Sequence, residues 1–214
     1  MANVIEIDVV SATYRDVAPI AEILLGGGVA VGPTETSYGL MAAADQPEAM
    51  ERIMKLKGRD GNKPLLLLLD RPERALCYAR EIPQCVTGLT AEFWPGPLTL
   101  LLRSRPGLYP SLVGPTRTVG LRVAGAPALR LLARVMDRAI TGTSANPGGL
   151  PPARSLGQAL DYFGDKIDLY IDGGPSPKAP ASTIIDASLG PPRLVRDGGL
   201  SINQMIKAAP DMRT

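Results

Sequence analysis

Five consecutive leucines at positions 65–69, bounded by Pro64 and Asp70, set the strongest constraint on how this chain folds. The run is too short to be a helix and far below a membrane span. In an extended strand, neighbouring side chains point to opposite faces, so this run is apolar on both sides. A strand in the middle of a sheet, covered above and below, satisfies it. The flanking segments alternate in kind. Strands are expected over residues 4–10, 29–31, 98–102, 118–123, 139–143, 169–171, 183–185 and 193–195. Helices are expected after Asp16, over 47–56, up to Phe93, over 127–136 and 155–162, and after Ser201. Asp16, Asp70 with Glu73, and Ser201 with Gln204 read as helix caps. Interleaving of this sort gives an α/β fold, a sheet with helices packed on it. With 214 residues, 45% of them hydrophobic, one domain over 1–214 is expected.

Histidine is absent. Catalytic sites built on a Ser-His-Asp triad, a Cys-His pair or a His-ligated zinc are therefore excluded. Two cysteines, Cys77 and Cys85, have no metal-type spacing and read as buried thiols in a reducing cytosol. The start MANVIEIDVV lacks the basic-then-apolar pattern of a secretory signal, which gives the same expectation of a cytoplasmic protein. A net charge of +2 and 4% aromatic residues argue against an extended nucleic-acid surface.

Two polar triplets remain to be explained: Lys57-Gly58-Arg59 and Ser144-Ala145-Asn146. In each, two hydrogen-bonding side chains flank one small residue, and along an extended backbone such residues share a side. The first offers cationic donors only, the second a hydroxyl and an amide. Together they suit a phosphate-bearing ligand. Segment 57–63 carries Lys57, Arg59 and Lys63; charge alone favours a solvated connection, while its place at the end of the central leucine strand favours a ligand. Gly142, in the run leading to the second triplet, would let a ligand approach the backbone, although the same residues also compose ordinary turns. Arg122 interrupts an apolar strand. It fits a snorkelling or paired arginine, or a bidentate carboxylate clamp. Pro33-Thr34-Glu35-Thr36 offers two hydroxyls and a carboxylate, and Arg196 opens a polar turn. These clusters lie in or at the ends of short strands, where α/β sheets gather ligands. Neither GxxxxGK[ST] nor a helix-opening GxGxxG is present.

The motifs GGGVAVGPTETSYGL (26–40), KGRDGNKPLLLLL (57–69), FWPGPLTLLL (93–102), TVGLRV (118–123), TGTSANPGG (141–149), STIID (182–186) and LVRDGGLS (194–201) occur in one order. In that order the chain resembles the YrdC/TsaC family, the L-threonylcarbamoyladenylate synthases of tRNA modification, over about residues 18–201. The resemblance implies a single-domain YrdC-like fold, a twisted mixed sheet flanked by helices around a basic concave groove. It implies a nucleotidyltransferase that uses ATP, L-threonine and bicarbonate or CO2 to make threonylcarbamoyl-AMP and pyrophosphate. A downstream transferase complex would then modify adenosine 37 of tRNAs reading ANN codons. Carried over by position, Thr36, Arg122, Gly142 and Ser182 match threonine-binding residues. Arg59, Lys63, Thr118, Ser144 and Arg196 match nucleotide-binding residues. Lys57, Arg59, Ser144 and Asn146 form the family's signature and are the expected catalytic set.

The implied mechanism fits a chain without histidine. The threonine amine captures CO2, the resulting carbamate attacks the α-phosphate, and pyrophosphate leaves. The protein then supplies positioning and charge neutralisation. No carboxylate cluster marks a metal site, so Mg2+ is expected to arrive on the ATP phosphates. The resemblance also implies weak contact with tRNA or double-stranded RNA. A double-stranded RNA-binding module and a paralogue with another substrate are the alternative functions. The chain departs from many relatives at Leu68, where they carry histidine, and at Pro151-Pro152-Ala153-Arg154, where they carry Ser-Pro-Thr.

Overall fold

A computed structural model gives the structure of the protein, described over residues 2–58 and 64–213. Strand β1 (Val4–Glu6) leads to helix α1 (Tyr14–Leu25) and then to a hairpin of β2 (Ala30–Pro33) and β3 (Tyr38–Met41). Helix α2 (Pro47–Lys57) precedes β4 (Leu66–Leu69). The chain continues through α3 (Thr87–Phe93), β5 (Leu98–Arg103), β6 (Thr118–Val123), α4 (Pro127–Met136) and β7 (Ile140–Ser144). It closes with α5 (Leu156–Phe163), β8 (Leu169–Asp172), β9 (Thr183–Asp186), β10 (Arg193–Arg196) and α6 (Ile202–Ala208). The strands form one mixed sheet in the order β1-β8-β2-β3-β7-β4-β6-β5-β9-β10. Parallel and antiparallel pairs share it: β4 runs parallel to β6 and antiparallel to β7.

The leucine run is central, as its two-sided apolarity requires, with β4 sixth of the ten strands. Leu67 and Leu69 join the larger core with Met50 and Ile53 of α2, together with Leu98, Leu100 and Leu102 of β5 and Val119, Leu121 and Val123 of β6. Leu68 points the other way, into a second core with Val17, Ile20 and Leu24 of α1 and Leu129, Leu132 and Met136 of α4. Each of these large side chains contributes ~1.5–3 kcal/mol by leaving water. The α1 and α4 pair covers only part of this second face. Beyond it, the same-side residues of β5 and β6 are Thr99, Leu101, Thr118, Gly120 and Arg122, and they border a cavity instead of a helix. The period-2 alternation of these strands thus gives a packed core on one face and the floor of a cleft on the other.

Local chemistry sets the helix ends. The Thr13 N–H donates to Asp16 Oδ2 at 2.7 Å, so Thr13 is the cap of α1 and Asp16 its first-turn partner, not the cap itself. Pro47 and Pro127 open α2 and α4, where a missing N–H costs nothing. Gly58, at φ 57°, ends α2 in the left-handed region.

Four sequence expectations change. Asp70 and Glu73 do not cap an α-helix; residues Pro72–Cys77 form a 3-10 helix, and Asp70 is buried as the acceptor of Arg71 and Arg74. The expected strand over 4–10 contracts to three residues, because Asp8 turns back on the N–H groups of Val10 and Ser11. Residues 38–41, absent from the expected strands, form β3. Cys77 is exposed and Cys85 half-buried, so neither is the buried thiol expected; both are free.

Candidate active site

The cleft has a volume of about 770 Å3. Its floor is the uncovered sheet face, and register fixes who stands beside whom. Leu66 lies opposite Gly142 and Leu68 opposite Arg122, while Gly39 faces Ser144 across β3 and β7. Seven residues expected from the sequence line this one cavity: Thr36, Thr118, Arg122, Gly142, Ser144, Ser182 and Arg196. Among the described residues the lining contains three arginines, Arg122, Arg154 and Arg196, and no carboxylate. The site lies across the face of the sheet: Thr118, Ser144 and Arg196 stand at the ends of β6, β7 and β10, while Arg122 and Gly142 lie within their strands.

Arg122 is the buried charge of the site, 5% exposed. Its Nη2 lies 3.0 Å from Glu35 Oε1, while its Nε is buried without a hydrogen-bond acceptor. Burial pulls the guanidinium below its ordinary pKa, and the Glu35 charge opposes that pull. A buried donor without an acceptor is costly, and an incoming anionic oxygen would relieve that cost. On the far side of β4, Gly142 leaves no room for a side chain: a Cβ there would meet Leu68 Cγ at 2.8 Å.

On the opposite wall, Ser182 and Arg196 are already joined. Arg196 donates from Nε and Nη2 to the Ser182 carbonyl at 3.0 and 2.8 Å, and from Nη2 to the Ser182 hydroxyl at 2.9 Å. The Thr99 hydroxyl shares a 2.9 Å hydrogen bond with that of Ser182. Thr34 and Thr36 pair their hydroxyls at 3.0 Å, and Thr116 and Thr118 at 3.2 Å. Tyr38 lies beneath the hairpin and donates to the Gly174 carbonyl at 2.8 Å. Burial, aided by the Asp172 charge, pushes its phenol up to about 12. Tyr38 is therefore a neutral donor at ordinary pH.

The two triplets meet differently from the sequence expectation. Lys57 is the last residue of α2, not part of an extended segment, and it is only 1% exposed. Its ammonium donates to the carbonyl of Ser144, to the carbonyl of Asn146 at 3.0 Å and to Asn146 Oδ1 at 3.1 Å. The Ser144 hydroxyl donates to the same Oδ1 at 2.6 Å, and the Gly148 N–H to the Lys57 carbonyl at 2.9 Å. Lys57 and Asn146 thus shape the loop that presents Ser144, and neither lines the cavity. Arg59 and Lys63 lie outside the described residues.

Several lining residues carry no distinct sequence signal. Thr99 reads as one more strand residue until its alternation with Leu98 and Leu100 is seen. Arg154 lines the cavity and donates from Nη1 to the Pro177 carbonyl at 2.7 Å. Pro152 and Leu68, the two departures, both face the cavity. No group of three or more His, Cys, Asp or Glu among the described residues could hold a metal ion. No helix there is long and apolar enough to cross a membrane.

Comparison with known proteins agrees with this layout. The Sua5/YciO/YrdC family profile, described as telomere recombination, matches residues 22–198. A threonylcarbamoyl-AMP synthase of Pyrococcus abyssi is 35% identical over 187 residues, covering 87% of this chain and 55% of its own length. A threonylcarbamoyl-AMP synthase of Marinobacter nauticus is 33% identical over 184 residues, covering 86% of this chain and 97% of its own. The crystal structure of P. abyssi Sua5 complexed with L-threonine superposes with a TM-score of 0.90 at 31% identity, over 100% of this chain and 62% of that one. The chain belongs to the Sua5/YciO/YrdC family. It spans just over half the length of its Pyrococcus relative and nearly all of the Marinobacter one.

Proposed function

We propose that the chain is a threonylcarbamoyl-AMP synthase, converting ATP, L-threonine and bicarbonate or CO2 to threonylcarbamoyl-AMP and pyrophosphate. The observation that carries this reading is Arg122, a buried guanidinium with an unmatched donor on the floor of a cleft lined by hydroxyls and arginines. An α-carboxylate is the complementary partner. The two synthases similar over most of this chain, and a threonine complex with the same fold, support it.

In this reading Arg122 holds the threonine carboxylate while Thr36, Ser182 and the backbone at Gly142 surround the rest. The threonine amine, neutral after loss of a proton to solvent, bonds to the carbon of CO2. The carbamic acid formed loses a proton and becomes a carbamate. A carbamate oxygen then bonds to the α-phosphorus of ATP as the bond to the departing pyrophosphate breaks. The nucleophile belongs to the substrate, so the residues bind and orient it and offset charge. Thr118, Ser144 and Arg196 line the part assigned to the nucleotide, and Arg59 and Lys63 would extend it. Lys57 acts through the Ser144–Asn146 loop. The lining offers no carboxylates, so Mg2+ fits here as a companion of the ATP phosphates, where it would neutralise their charge.

The product would pass to a threonylcarbamoyl transferase acting on tRNA. A crystal soaked with ATP and L-threonine tests the assignment. Adenylate density over β4–β7, with a carboxylate on Arg122, is expected; threonine bound elsewhere, with Arg122 untouched, would overturn it.

A further inference from the structure

Among the described residues Glu35 is the carboxylate paired with Arg122, and its seat is built. Both of its oxygens are buried and accept no hydrogen bond, and Oε1 lies 3.0 Å from Arg122 Nη2. A carboxylate in that condition is held by the ion pair and by shape. The shape comes from Gly125, just after β6: a Cβ there would meet Glu35 Cγ at 3.0 Å, Cδ at 3.1 Å and Oε1 at 3.3 Å. Gly125 is itself anchored, because Arg130 of α4 donates from Nη1 to the carbonyls of Ala124 and Gly125, each at 2.7 Å. Glu35 is not among the cavity-lining residues, whereas Arg122 is.

We propose that Glu35 is a positioning and selectivity residue for the Arg122 pocket, holding the guanidinium through Nη2 so that it keeps one aim toward the cleft. This rests on the assignment of Arg122 as the carboxylate clamp. The physical consequence concerns charge as well as aim. Paired with Glu35, the buried guanidinium presents donors with little net charge behind them. Such a pocket takes a ligand whose own charge is balanced, an amino-acid zwitterion, and disfavours a dianion such as inorganic phosphate. Without Glu35, the same arginine becomes a bare buried cation that accepts any anion and has lost its orientation.

Glu35→Gln keeps the size and removes the charge. Gly125→Ala keeps the charge and crowds the carboxylate. Calorimetric titration of each intact variant with L-threonine, and separately with inorganic phosphate, reads the effect without turnover. The expected result is a loss of about tenfold or more in threonine affinity for Glu35→Gln. The threonine-to-phosphate affinity ratio should fall by at least as much, and Glu35→Asp should recover part of both. Gly125→Ala should weaken threonine in the same direction. If Glu35→Gln does not fold, Glu35→Asp and Gly125→Ala carry the test, and wild-type affinity and ratio in both overturn the proposal. An unchanged ratio in a folded Glu35→Gln protein also overturns it. Wild-type protein that binds no threonine would defeat the Arg122 assignment and this inference together, a different outcome from wild-type binding that Glu35→Gln leaves intact.

Discussion

Replacing Lys57 by methionine should loosen the Ser144–Asn146 loop and cost measurable stability. Methionine keeps most of the buried stem but deletes the donors to three acceptors among the described residues: the carbonyls of Ser144 and Asn146, and Asn146 Oδ1. Two of these keep a partner. The Asn146 N–H still donates to the Ser144 carbonyl at 3.0 Å, and the Ser144 hydroxyl to Oδ1 at 2.6 Å. The Asn146 carbonyl loses the ammonium. Hydrogen bonds to charged groups are worth ~1.5–3 kcal/mol each, and a buried acceptor left without a donor costs ~1–3 kcal/mol. Relief from burying an ammonium offsets part of that sum. The net loss comes to ~2–4 kcal/mol. At ~2–4 °C per kcal/mol for a chain of this size, the Tm should fall by about 5–15 °C. Amide exchange over residues 144–150 should speed up at least ~30-fold, the equivalent of 2 kcal/mol. Thermal unfolding and exchange measured by mass spectrometry read both. A Tm within ~1 °C of wild type with unchanged exchange in that loop would show that Lys57 does not hold it.

Three further outcomes follow from the same geometry. Gly142→Ala places a methyl 2.8 Å from Leu68 Cγ on the cavity floor, so it should cost ~1–3 kcal/mol in thermal unfolding and weaken threonine binding. Asp70→Asn should destabilise the fold by ~1–3 kcal/mol in denaturant titration, since it strips the buried counter-charge from Arg74 at 2.6 Å and leaves Arg74 paired with the exposed Asp137. Stability should be flat from about pH 5 to 7, because the chain has no histidine. It should decline in acid, because Asp137, held down by Arg74, and Asp16, held down by Thr13, both have lowered folded pKa values. Their contribution is present above the unfolded value near 3.8 and is lost as the pH drops through the folded one. A transition centred near neutrality in the Tm-against-pH curve would contradict this.

What the sequence revealed followed from periodicity. The two-sided leucine run placed β4 in mid-sheet, and alternation in 118–123 set Arg122 on a different face from Val119, Leu121 and Val123. The chemistry-bearing residues were legible as types: hydroxyls, arginines and a crowded glycine. Their convergence was not, because it depends on how far α1 and α4 extend across one sheet face, a tertiary property no local pattern encodes. Lys57 shows the limit best. Its charge and its neighbour Arg59 argue for a loop facing a ligand, yet it ends a helix and turns inward to three acceptors. Asp70 misled for a related reason: capping residues and buried ion-pair acceptors share one composition, and only Arg74, one turn on, distinguishes them.

Pyrophosphate release from ATP, measured with threonine and bicarbonate added separately and together, tests the synthase assignment. Release is expected only when both are present, with threonylcarbamoyl-AMP as the co-product and loss of the threonine dependence in Arg122→Ala. ATP turnover indifferent to threonine, or full activity in Arg122→Ala, would contradict it.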